Sequence, residues 1–117
     1  MPSFDDAALA KLLKLGGPKF ACNMVDLFLS YAPTKLAEGL AANAKGDCVG
    51  VHDAMHPLKT SASHVGALAV RALAVELEEL ARAGAKERLP ELLAKLEAEM
   101  TAVIPRLREW RTGHSVQ

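Results

Sequence analysis

Apolar residues recur at three- and four-residue spacing in five successive stretches, a pattern that predicts five helices and no strand. Leu9, Leu12 and Leu13 share one side of a short first helix that Ser3 or Asp5 can cap. Gly16-Gly17-Pro18 ends it and starts the next, since glycine suits a helix stop and proline a first turn. The second stretch carries Phe20, Met24, Leu27, Phe28 and Tyr31, and resumes after Pro33 with Leu36 and Leu40. This predicts one long helix, kinked at Pro33 and ending near Gly46, with a break at the proline as the competing boundary. Asp47 is placed to cap a third helix that runs to about His64 and stops at Gly66.

A fourth helix carries Val70, Leu73, Leu77 and Leu80 and stops at Gly84. The fifth begins around Leu89-Pro90 and shows Leu93, Leu96, Met100, Val103, Leu107 and Trp110, with Pro105 expected to bend it. Residues 112–117 are expected to fray. Near-heptad seams joined by short loops predict an all-α fold: an antiparallel four-helix bundle with an additional short N-terminal helix, in one domain spanning 1–117.

Composition narrows what such a bundle does. Half of the 117 residues are hydrophobic, about a quarter are charged, and aromatic residues are few, which suits helices and a single core. Fourteen acidic residues balance fourteen basic ones, so the basic excess of a nucleic-acid binder is missing. No apolar run approaches the roughly 20 residues that span a bilayer, and the start Met1-Pro2-Ser3-Phe4 lacks the features of a secretory leader. The expectation is a cytoplasmic protein, with Cys22 and Cys48 as reduced, partly buried thiols.

The chemistry concentrates in the segment from Val51 to Gly66. At about 100° per residue, Val51, Ala54, Leu58, Ser61, Ala62 and Val65 fall on one side of a helix, small and mostly apolar. His52, Asp53, His56, Lys59, Thr60 and Ser63 fall on the other, so His56 points outward at the centre of a polar stripe. An exposed imidazole is largely unprotonated near neutral pH, and its ring nitrogen can take a phosphoryl group without a separate base. Phosphoryl transfer asks mainly for positioning and charge stabilisation, which Lys59, one turn on, is placed to supply. Thr60 and Ser63 are short hydrogen-bond donors that leave room for a partner. Against this stands the plain alternative of a surface histidine with no role.

His56-x-Leu58-Lys59-x-Ser61-Ala62-x-x-Val65-Gly66 resembles the signature of histidine-containing phosphotransfer (HPt) domains. Further landmarks lie in the same order: Gly16-Gly17-x-x-Phe20, Leu27-Phe28-Leu29, Pro33, Gly46-Asp47, Gly66-Ala67, Leu77-Glu78 and Ala81-Arg82-x-Gly84. The resemblance implies a four-helix bundle that carries phosphoryl groups between response-regulator receiver domains, or between a hybrid sensor histidine kinase and a regulator. It implies His56 as phosphoacceptor through Nε2 and Lys59 as the residue that steadies the phosphoryl group. It also implies Glu78 as a hydrogen-bond partner of the ring and Arg82 as a basic residue nearby. An ordinary i,i+4 surface pair between Glu78 and Arg82 is the competing reading.

Two positions depart from the family pattern. Thr60 stands where glycine is usual, which narrows the approach of a receiver. Pro57 cannot donate to the Asp53 carbonyl, a defect of roughly 3 kcal/mol in an unstrained helix, and a kink there could tilt His56 outward.

The expected docking surface centres on Val49, His52, Lys59, Thr60 and Ser63, with Met55 at its edge. No cofactor of its own is expected, magnesium belonging to the receiver, and the chain has no glycine-rich nucleotide loop for self-phosphorylation. A monomer without nucleic-acid or membrane partners is expected. It would be a stoichiometric intermediate, an enzyme only by convention. Two alternatives remain: an interaction module without transfer activity, and a metal-binding bundle using His52 and His56 with Cys48 or Asp53. His64, near its helix end, is read as a dipole-capping residue.

Overall fold

The computed structural model describes residues 3–114. Four α-helices follow in order: α1 (Asp6–Ala44), α2 (Cys48–Val65), α3 (Leu68–Arg82) and α4 (Leu89–Gly113), with a 3₁₀ turn at Lys86–Arg88 before the last. No strand occurs among the described residues. Packing runs around the bundle from α1 to α2, α2 to α3, α3 to α4 and α4 back to α1. Short connections make sequential neighbours antiparallel. No helix is long and apolar enough to cross a membrane among the described residues.

The expected short first helix is present as the segment of α1 before Gly17. There the backbone leaves helical geometry, with φ 83° and ψ −179°, and Pro18 restarts the helix. Asp5 caps this segment by accepting from the Ala7 amide at 3.0 Å. Leu9 and Leu12 are buried beneath it. Two further ties hold it across the end of the bundle. The Asp5 amide donates to the Gly66 carbonyl at 2.9 Å and the Ala69 amide to the Ser3 carbonyl at 3.0 Å.

The helices keep their sense through three interior prolines. Gly17 is the one non-helical residue inside α1, so the chain passes Pro33 as the one long helix expected, without the competing break. Pro57 lies inside an unbroken α2, and Pro105 inside α4. Part of the tail expected to fray lies within the described residues. α4 continues through Gly113, and the His114 ring stacks on Trp110 with centroids 4.1 Å apart. Residues 115–117 lie outside the described residues.

The buried face of α1 is another difference. Phe20, Leu27 and Tyr31 are exposed, while Ala21, Cys22, Val25, Phe28, Ala32, Leu36 and Gly39 face inward. α2 comes closest at Gly39, where a Cβ would sit 3.0 Å from the Met55 methyl, so that position of the interior goes to the smallest residue. In α4 the expected seam is buried from Leu93 through Leu107, with Trp110 half-covered. Cys22 is buried and Cys48 half-buried, both as free thiols.

Gly66 joins α2 to α3 with φ 76°, and a Cβ there would run into the Asp5 carbonyl oxygen. Gly84, with φ 73°, has nothing within 4 Å of its Cβ position. Gly84→Ala should therefore cost only the left-handed backbone term, about 1–2 kcal/mol. Gly66→Ala adds a clash with backbone and should cost about 3 kcal/mol or more. Urea unfolding of the two variants checks the difference, and equal losses would contradict the close approach.

Candidate functional site

Asp47 starts α2 by accepting from the Gly50 amide at 3.0 Å. That cap and the turn at Gly66 fix which face of α2 the core receives. Val51, Ala54, Leu58, Ala62 and Val65 are buried, and His56, opposite them, stands out with its side chain 62% exposed. The missing donor at Pro57 leaves α2 intact, and the Pro57 carbonyl accepts from the Ser61 hydroxyl at 3.3 Å.

Across the α2–α3 groove lies Glu78, the one buried charged residue among those described, its side chain 5% exposed. Its Oε2 is 2.5 Å from His56 Nδ1 and its Oε1 accepts from Lys59 Nζ at 2.8 Å. Burial pushes the Glu78 carboxyl up, but hydrogen bonds from Lys59 and His56 outweigh it and hold the group below its ordinary 4.5. An ionised carboxylate only accepts, so His56 donates through Nδ1–H. Nε2 is then left with its lone pair. This is a preoriented nucleophile on an exposed ring, held by a buried anion whose charge is balanced by a lysine.

Arg82 lies one turn beyond Glu78, 3.6 Å from Oε1 and mostly exposed. The i,i+4 ion pair weighed from the sequence therefore exists, but it belongs to a larger group. Arg82 also reaches His52 Nε2 at 3.3 Å, and His52 Nδ1 lies 3.1 Å from the Asp53 carboxylate. The His52 ring stacks alongside His56, with centroids 5.9 Å apart and planes 18° from parallel. Sequence spacing placed His52 on the stripe, yet its bond to Arg82 spans thirty residues and has no local signal.

Val49 is 69% exposed, and Thr60 and Ser63 are also exposed. Met55 is a correction: it is fully buried and cannot form the edge of a docking surface. Its side chain fills the space left by Gly39 on α1, so an unbranched residue at the rim of the helical wheel is drawn into the close α1–α2 contact. His64 lies in the last turn of α2, exposed.

Donor atoms of His52, His56 and Glu78 lie within 4.8 Å of one another, and neither Cys48 nor Asp53 joins them. Both carboxylate oxygens already hold hydrogen bonds, and the adjoining Lys59 and Arg82 cations oppose a further positive charge. The grouping is a hydrogen-bonded cluster, and we assign no metal to it.

The described residues thus form a helical bundle with an outward imidazole oriented by a buried carboxylate. The Hpt domain family model matches residues 23–106, and the chain belongs to that family, whose members act in phosphorelays with receiver domains and kinases. Among solved structures it is similar to the histidine-containing phosphotransfer protein B (HptB) of Pseudomonas aeruginosa PAO1. That match has 29% identity, a TM-score of 0.89, and covers 95% of this chain and 96% of the other. No curated protein sequence matches.

The lowered Glu78 carboxyl carries a sign. A group held below its unfolded value stabilises the fold above that value, and the contribution is lost as pH falls through the folded value. Between about pH 5 and pH 3 the parent's melting temperature should therefore fall more steeply than that of Glu78→Gln. Thermal melts followed by circular dichroism across that range check this, and identical slopes would contradict it.

Proposed function

We propose that His56 is the phosphoacceptor of this chain, taking a phosphoryl group from the aspartyl phosphate of a docked receiver domain and passing it to a second receiver. The observation that carries the reading is the Nδ1 bond from a mostly exposed ring to buried Glu78, which leaves Nε2 as the nucleophile. In the forward step a bond forms from Nε2 to phosphorus while the bond from phosphorus to the aspartyl oxygen breaks, and the aspartate leaves as a carboxylate. The ring then carries Nδ1–H and Nε2–P together and is formally cationic. Glu78 faces that charge, so the carboxylate that orients the ring also stabilises the product. In the return step a bond forms from the second receiver's aspartyl oxygen to phosphorus while the bond from Nε2 to phosphorus breaks, and the ring leaves as neutral imidazole with Nδ1–H retained.

Lys59 and Arg82 supply positive charge beside the ring, where phosphoryl oxygens would come. Magnesium belongs to the receiver in this reading, because the one carboxylate in contact with His56 is engaged by Lys59 and by His56 itself. The docking surface is the stripe of exposed Val49, Thr60 and Ser63 with half-buried His52 around the ring. Thr60, with its methyl and hydroxyl in place of glycine, tunes which receiver fits. The chain works as a cytoplasmic monomer, filled and emptied stoichiometrically, with a hybrid sensor kinase as donor and an output receiver as acceptor.

Incubating the protein with a panel of phosphorylated receivers and following the label tests this. His56→Gln should take up no phosphoryl group. Glu78→Ala should slow uptake roughly 10- to 100-fold, the scale of loss when the hydrogen-bond partner of a metal-ligating imidazole is removed. Transfer that survives His56→Gln would reject the assignment.

A further inference from the structure

Lys59 is expected to meet the phosphoryl group, but before any phosphoryl arrives its ammonium is already engaged. Nζ donates to Glu78 Oε1 at 2.8 Å, and the lysine side chain is only 30% exposed. The same carboxylate holds His56 through its other oxygen. One buried anion thus joins the lysine to the imidazole. A carboxylate against a ring nitrogen has two opposed effects: it fixes the tautomer, and it favours the doubly protonated ring, which has no free lone pair. A second cation on the carboxylate keeps the first effect and weakens the other.

We propose, resting on His56 as the acceptor, that Lys59 is a positioning residue acting through Glu78: it pins the carboxylate in place and offsets its charge, so that Glu78 orients the ring without protonating Nε2. The charged and titratable groups around the ring are His52, Asp53 and Lys59 from α2 and Glu78 and Arg82 from α3. Asp53 bonds to His52, and Arg82 is divided between His52 and Glu78 at 3.6 Å. Lys59 is therefore the closest cation on the carboxylate. Its removal leaves Oε1 with the longer, more exposed Arg82 contact alone.

The test follows the His56 ring in the unphosphorylated protein by ¹⁵N NMR across pH 5.5–9, together with initial phosphoryl uptake, for parent, Lys59→Met and Lys59→Arg. In Lys59→Met the protonated ring should persist to higher pH by roughly half a unit to one unit. Uptake should fall about 3- to 10-fold at pH 5.5 and about 1.5- to 3-fold at pH 7, and the defect should be smallest near pH 8.5. Lys59→Arg should restore both. Overturning results are an unchanged ring titration in Lys59→Met, or an uptake defect of equal size at every pH, which would leave the lysine acting on the phosphoryl group alone. Because the ring titration needs no phosphoryl donor, it reads the relay even if no receiver loads His56.

Discussion

A carboxylate cannot be buried between two helices without partners, and at Glu78 that requirement organises the site. One oxygen is met by a cation from α2 and the other by the ring of His56, so the desolvation of the charge is answered by two hydrogen bonds. The direction of the second bond decides the chemistry. With Nδ1 donating inward, the reactive nitrogen faces solvent and partner. Loss of this one contact would leave a freely rotating surface histidine.

The rest of the fold serves that contact by fixing α2 against α3. Caps at Asp47 and Gly66 set the ends of α2, and its small apolar side lets α1 approach closely enough for Met55 to lie over Gly39. The N-terminal segment closes the end of the bundle beside the α2–α3 turn. α3 then presents Glu78 towards His56 and Arg82 one turn later, near His52. The family match and the likeness to a solved phosphotransfer protein describe the same bundle.

Much of the bundle was legible in the order of residues. Capping aspartates, left-handed glycines and near-heptad leucines each act locally, so helix limits and the outward placement of His56 followed from spacing. What escaped depends on neighbours distant in sequence. Phe20, Leu27 and Tyr31 share the apolar spacing of Phe28, yet only Phe28 faces inward, and Ala21, Ala32 and Gly39 take other inward positions of α1. Met55 looked like a rim residue for want of any sign that Gly39 would make room for it. The Arg82–His52 contact and the placement of Lys59 on Glu78 rather than in open solvent both required the packing of α2 on α3.

The central claim is that Glu78 claims Nδ1 and leaves Nε2 to react. Its most direct test is the site of attachment in protein that a receiver has phosphorylated, read from phosphorus–nitrogen couplings in uniformly ¹⁵N-labelled material. The account predicts phosphorus on Nε2 of His56 with a proton retained on Nδ1. Phosphorus on Nδ1, or on another histidine, would contradict it.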